Sequence, residues 1–280
     1  MALPSVHRHA GRALRVALIA VSLAAGAQAR QVARLSASDG EPIDRFGTSC
    51  ALLGDVAVVG ANGDDDHGES SGAVYVFERR GTVWRETAKL TPGPIHGRPY
   101  LYFGESVAYD GTRIVVGAPA EYGSPTVPGA AFVFARGPGG WELEGVLRSP
   151  GAHLHDSFGH SVAIAGDLVA VGAPYFDTGE TDAGEVVLFR LRDGRWRREA
   201  RFAGQFFQWL GFSVALGAER LVVGAPGEGV ATSTSSGPRA GRRQRASFRP
   251  ATCYWTSARR SPRPASASPS WPPGRNGRAT

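Results

Sequence analysis

Phe158-Gly159-His160-Ser161-Val162-Ala163-Ile164, followed by Gly166-Asp167-Leu168-Val169-Ala170-Val171-Gly172-Ala173-Pro174, decides the fold. Each landmark in it recurs. Phe-Gly stands at Phe46-Gly47, Phe103-Gly104 and Phe158-Gly159, with Leu210-Gly211 in a fourth copy. Gly-Ala stands at Gly60-Ala61, Gly117-Ala118, Gly172-Ala173 and Gly224-Ala225, 14 positions after the first landmark in every copy. In three copies the next glycine (Gly72, Gly129, Gly184) precedes a tryptophan (Trp84, Trp141, Trp196) by 12 positions. The copies begin 57, 55 and 52 residues apart. Rigid internal spacing with variable joints is the mark of supersecondary units separated by tolerant loops.

Four short strands are expected per unit. They follow the tryptophan (Trp84 to Leu90), follow Phe-Gly (Ser106 to Tyr109), precede Gly-Ala (Ile114 to Val116) and follow the loop (Ala73 to Phe77). Their β-branched and aromatic content favours strand, and no helical apolar period of useful length competes. The apolar runs are nearly continuous, so both faces of each sheet should be covered. A four-stranded sheet repeated about every fifty residues and packed face to face is a β-propeller blade. The expected class is therefore all-β: a β-propeller of four-stranded blades, with about four repeats present.

Phe-Gly followed by Gly117-Ala118-Pro119, Gly172-Ala173-Pro174 and Gly224-Ala225-Pro226 resembles the FG-GAP repeat of integrin alpha-chain heads and related bacterial secreted proteins. The resemblance covers residues 31–237 and implies a binding or adhesion module acting on an extracellular protein or a surface glycan. The first copy departs with Asn62 and the fourth with Leu210. Many family members carry a calcium loop of alternating aspartates between the two landmarks. Here that place offers only Asp55, Asp110, Asp167 and Glu219, one acid per turn. Calcium takes roughly six to eight oxygens, so those sites do not carry over.

Charge excludes a nucleic-acid partner. The chain of 280 residues has a net charge of +6, but residues 31–237 hold 17 bases against all 25 acids, a net of −8. The excess is terminal: four arginines in residues 1–30 and ten in 238–280. A globular part that is acidic gives no electrostatic footprint for nucleic acid. Residues 1–29 read as a signal peptide: Arg8, Arg12 and Arg15, the apolar run Val16 to Ala25, then Ala27-Gln28-Ala29. That run is too short to span a bilayer, so no transmembrane anchor is expected and the chain should be secreted, periplasmic or at the cell surface. Thirty arginines to one lysine, Lys89, suggest a GC-rich bacterial genome. Cys50 stands where other copies have Val107, Val162 and Val214, and is expected to be buried and unpaired.

The fourth copy keeps phase to Gly237, after which a strand like Ala73 to Phe77 should follow. Instead residues 238–280 are rich in Arg, Pro and Ser without an acid, a composition for disorder or an out-of-frame tail. Three units and a partial fourth should leave an end face of Val and Phe open.

The loops after Gly-Ala hold the site candidates. The first carries Asp64, Asp66 and Glu69; the third carries Asp177, Glu180 and Asp182. Such carboxylates could hold calcium with backbone carbonyls and water, against the simpler reading as solvated turn residues. His153, His155, Asp156 and His160 are zinc ligands in principle, but their spacing matches no zinc pattern. Ser49, Ser106, Ser161 and Ser213 share one repeat position. A nucleophile is needed once, so a hydrogen bond in each blade explains them better. Trp84, Trp141 and Trp196 keep a fixed phase, which points to packing, whereas Phe206, Phe207 and Trp209 stand outside the pattern as a candidate contact patch. The alternative function is a hydrolase or lyase in the central channel, which needs an unrepeated acid/base pair; the sequence names none.

Overall fold

The 14-residue spacing has a mechanical cause in the computed structural model, which describes residues 31–93, 98–120, 128–151, 153–235 and 251–253. The amide of the Phe-Gly glycine donates across a hairpin to the carbonyl of the Gly-Ala glycine: Gly104 to Gly117, Gly159 to Gly172 and Gly211 to Gly224, at 3.0, 3.0 and 3.1 Å. The same glycines then seat on the blade before. A Cβ added to Gly172 would lie 2.0 Å from the Gly211 carbonyl oxygen, and one on Gly117 would lie 1.9 Å from that of Gly159. Only glycine permits so close an approach of two backbones. The serine column closes the joint. Ser49, Ser106 and Ser161 donate through Oγ to the carbonyls of Gly104, Gly159 and Gly211 at 2.7, 2.9 and 2.7 Å. The repeated serine thus bonds between blades rather than within one.

Among the described residues, sixteen strands form four antiparallel sheets, each in chain order. The first is β1 (Phe46–Leu53), β2 (Val56–Ala61), β3 (Ala73–Arg80) and β4 (Val83–Leu90). The second is β5 (Ser106–Tyr109), β6 (Arg113–Ala118), β7 (Ala130–Gly137) and β8 (Gly140–Leu147). The third is β9 (Ser161–Ala165), β10 (Leu168–Ala173), β11 (Glu185–Arg192) and β12 (Arg195–Ala203). The fourth is β13 (Ser213–Leu216), β14 (Arg220–Ala225), β15 (Val230–Ser235) and β16 (Ala251–Cys253). They are the blades of a four-blade β-propeller. The tryptophan strand closes the sheet opened by the preceding Phe-Gly, with Trp84 opposite Arg79 and Trp196 opposite Leu191. The leading strands meet in series, β1 on β5, β5 on β9 and β9 on β13.

Both faces of the middle blades are filled, as the continuous apolar runs require. On β6, Ile114 and Val116 face the first blade with Phe132 and Phe134 of β7, against Val58, Val74 and Val76. Val115 and Val133 face the other way, onto Val169, Val171, Val187 and Phe189 of the third blade. Ala170, Val186 and Leu188 then meet Leu221 and Val223 of the fourth. Each such buried Val or Phe contributes roughly 1.5–3 kcal/mol relative to exposure.

Three expectations are corrected. Cys50 is exposed, whereas its equivalent Val162 is buried against residues of the neighbouring blade. The third strand of the fourth blade does not wait for Gly237. It forms earlier, as β15, after a tight turn in which Glu228 and Gly229 donate to Ala225 and Pro226. Finally, among the described residues the end faces are only in part an open apolar wall. On the first sheet Tyr75 and Phe77 are buried and Phe46 packs edge-on to both, at 5.6 and 6.0 Å, leaving Leu52 out at 69% exposure. On the fourth, Val222 (42% exposed) lies opposite Ser233. Residues 238–280 lie outside the described residues except 251–253, which pair with β15. The segment 1–29 lies outside them entirely. No helix among the described residues is long and apolar enough to cross a membrane.

Candidate functional site: two acidic loops and a cleft

The first acidic loop is built around the chain's single lysine. A turn returns Asp64 N–H to the Ala61 carbonyl, and Asp64 accepts the Gly72 amide on its own carbonyl at 2.8 Å, folding the loop over the edge of β2 and β3. The Asp64 carboxylate is thereby buried. Lys89, on β4, reaches it: Nζ lies 2.8 Å from Asp39, 2.8 Å from Asp64 and 2.7 Å from Asp66. The Tyr75 ring lies 5.3 Å from Nζ, and its hydroxyl donates to Asp39 and Asp64 at 2.8 and 3.0 Å. Burial opposes the ammonium, yet hydrogen bonds to Asp39, Asp64 and Asp66 outweigh it and hold the Lys89 pKa above its ordinary value. Hydrogen bonding to Lys89 in turn lowers Asp39. Burial, with the neighbouring acids, pushes the Tyr75 phenol up. Glu69 is engaged elsewhere, accepting from the Tyr100 hydroxyl. Asp64 and Asp66 therefore share a cation, and that cation is Lys89.

The third loop differs. Its cation, Arg201, stands five residues after Trp196 as Lys89 stands five after Trp84. Arg201 pairs with buried Glu185 and lies 4.7 Å over the Phe176 ring. The loop acids are left to other work. Asp177 accepts the Asp182 amide at 2.9 Å, closing the loop on itself. Glu180 accepts the Phe206 amide at 2.6 Å. Phe207 and Trp209 donate backbone bonds to Thr181 and Asp182. The aromatic joint is thus strapped to the acidic loop, with Phe206 and Phe207 exposed at 59% and 44%.

Between this loop and the joint before the third Phe-Gly lies a cleft of about 530 Å³. It is lined by His153, His155, Asp156, Tyr175, Asp177, Thr181 and Asp182. Asp156 is buried and accepts the His153 amide. Burial pushes its carboxyl up, aided by Glu185 and Asp177. The joint histidines and the loop aspartates, separate in sequence, are therefore brought together, apart from Glu180 and His160. Asp64, Asp66 and Glu69 belong to another blade. Among the described residues, no group of three or more His, Cys, Asp or Glu is arranged to hold a metal ion.

The structure shows a further line of side chains that the repeat concealed. The residue two after each Phe (or Leu210) is Thr48, Glu105, His160 and Phe212. Thr48 donates to Asn62 at 3.2 Å and Asn62 donates to Glu105. The His160 ring lies 4.6 Å from Phe212. Burial lowers the His160 pKa, opposed by Glu105 and by a bond to the Phe212 backbone, and Nδ1 has no partner. Being different in every blade was the signal available for these residues. The tryptophans pack as expected. Trp196 donates to Glu144 at 2.9 Å and takes Arg113 over its ring, while Trp141 meets Tyr109 edge-on.

Three stretches, residues 29–77, 84–134 and 141–189, match the FG-GAP repeat family model. The matched unit straddles sheets, running from β4 through β7. No curated protein sequence matches the chain. Among solved structures, a Lactobacillus plantarum protein is 14% identical with a TM-score of 0.50, covering 74% of this chain. A Bacteroides uniformis protein described as a 6-phosphogluconolactonase is 10% identical with a TM-score of 0.48, covering 73%. The chain spans about half, 55%, of each.

Proposed function

Starting from the fact that this chain belongs to the FG-GAP repeat family, we infer that it is an exported bacterial binding module, non-enzymatic, whose ligand sits in the cleft of the third blade. The observation that carries this is the cleft itself: about 530 Å³, within the usual span of roughly 300–1,000 Å³ for ligand sites. Its walls are unrepeated side chains set on a repeated frame, the arrangement by which loops on a rigid scaffold acquire specificity. Carboxylates that accept hydrogen bonds, a half-buried Tyr175 and the exposed Phe206 and Phe207 rings suit a surface glycan better than a flat protein face. Export follows the expected signal peptide at residues 1–29 and the habit of the family.

The test is a glycan array probed with the exported chain. Binding should be lost in Tyr175→Ala and kept in Asp66→Asn. Absence of any bound glycan, or binding indifferent to Tyr175, overturns the reading. A second reading, a hydrolase or lyase acting in the central channel, draws on Glu105 and His160, an acid and an imidazole from adjacent blades. It requires turnover of the bound glycan that His160→Gln abolishes while binding persists.

A further inference from the structure

Two blades present the same loop with different charge balance, and the difference names a ligand class. In the first blade, two loop acids, Asp39 and the Tyr75 ring enclose a primary ammonium, that of Lys89. In the third, the equivalent base Arg201 is drawn to Glu185 and away from the loop. Asp156, Asp177 and Asp182 line the cleft beside His153 and His155, and none of the three aspartates pairs with a Lys or Arg of the described residues. Tyr175 lines it too, and the Phe206 and Phe207 rings, 4.3 Å apart, are strapped to its rim through Glu180 and Thr181. Acid and aromatic groups, with His153 and His155, are thus gathered around a volume that no Lys or Arg of the described residues lines. Beside the strap, the buried indole Nε1–H of Trp209 has no partner.

We propose that the cleft of the third blade selects glycans bearing free amino groups, its aspartates taking a sugar ammonium as the first blade takes Lys89, with Phe206 and Phe207 as the stacking surface for the adjoining ring. The proposal rests on the binding reading above and adds the charge of the ligand to it. A charge-assisted hydrogen bond is worth about twice a neutral one. An ammonium set among carboxylates should therefore exceed its acetylated counterpart by about tenfold in affinity or more.

The experiment is calorimetric titration of the full exported chain with two oligosaccharides of one backbone: glucosamine oligomers with free amines and the same oligomers fully N-acetylated. The free-amine series should bind at least about tenfold tighter, and its affinity should fall as salt is raised because the contact is ionic. Asp177→Asn with Asp182→Asn keeps the acceptor that closes the loop and removes both charges. That variant should melt as the native chain does and lose the preference. Equal binding of the two series overturns the amine selectivity and leaves the glycan reading standing. Array ligands confined to neutral or acidic sugars do the same. Binding of neither series, with an array that is also blank, overturns both. Preference for the amine that survives in the double variant places the ammonium elsewhere and overturns the site.

Discussion

The first and third blades share strands, turns and spacing, yet their acidic loops have opposite fates. In the first, Lys89 closes the circuit and the loop becomes part of the structure. In the third, Glu185 stands where the first blade has Ala73 and captures the base, so the loop acids face a cleft. A single acid buried in a strand thus takes the base away from the loop above it. The repeat supplies position, and the pairing of one strand residue sets the charge around the loop.

The strongest way to break the comparison is to break the frame beneath it. Gly172→Ala puts a methyl 2.0 Å from the Gly211 carbonyl oxygen and 2.4 Å from Ser161 Oγ. Neither backbone can yield without opening the joint, so a loss of about 3 kcal/mol or more is expected, at the upper end for overpacking. Urea unfolding measures it, and a midpoint unchanged by the substitution would mean that the two backbones do not need this approach.

Next comes the internal cation. Lys89→Met leaves Asp64 buried without its ammonium. Removing one partner of a fully buried pair costs about 3–5 kcal/mol. Here Asp39 and Asp66 are about half exposed, 48% and 53%, and solvent screens them, so a loss of about 2 kcal/mol is expected. Adding Asp64→Asn to that variant should recover part of it. A double variant no more stable than Lys89→Met would show that the lysine acts by packing its stem rather than by its charge.

What was legible in the sequence follows from what repeats. The constant 14-residue interval came from a hydrogen bond and a backbone contact made in blade after blade, so the propeller could be read from spacing alone. The cleft could not, because its walls meet only after the joint at 153–156 folds against the loop at 175–182. Lys89 leaves a trace in the sequence, since it is the sole lysine and stands five residues beyond a landmark tryptophan. Repeat equivalence gives Cys50 a buried place because it assumes the same neighbours in every blade, and Cys50 is exposed where its equivalent Val162 is covered. The fourth blade misled for the opposite reason, since β15 replaces the long loop by a tight turn and uses Thr and Ser where other copies use Val and Phe.

Calcium sharpens the same contrast. In the native chain a divalent ion must displace the Lys89 ammonium from Asp39, Asp64 and Asp66. In Lys89→Met those three carboxylates are vacated. With millimolar affinity and calcium at ten times the dissociation constant, the gain is about 1.4 kcal/mol by mass action. The melting midpoint of the variant should therefore rise with calcium and fall back with EDTA, while that of the native chain rises less. A native chain that gains as much as the variant would mean calcium sits at other ligands, and the loop of the third blade would be the place to look.

The smallest effect is the one with the clearest sign. Asp39 and Asp156 are both aspartates with an ordinary pKa of 3.8, moved in opposite directions. Asp39 is lowered by its bond to Lys89, so it stabilises the fold fully above 3.8, and that contribution is lost as pH falls through its depressed value. Asp156 is raised by burial, so its charged form is the penalised one, and the fold gains stability as pH falls through the raised value toward 3.8. Melting at pH 7, 5 and 3 separates them. Asp156→Asn should remove a gain that accrues above pH 3.8 as the pH is lowered, and change little below 3.8. Asp39→Asn should leave that interval alone and flatten the fall toward pH 3. If both variants altered the same interval in the same direction, the two loops would share one electrostatic environment, and the division between a neutralised first blade and an open third would be lost.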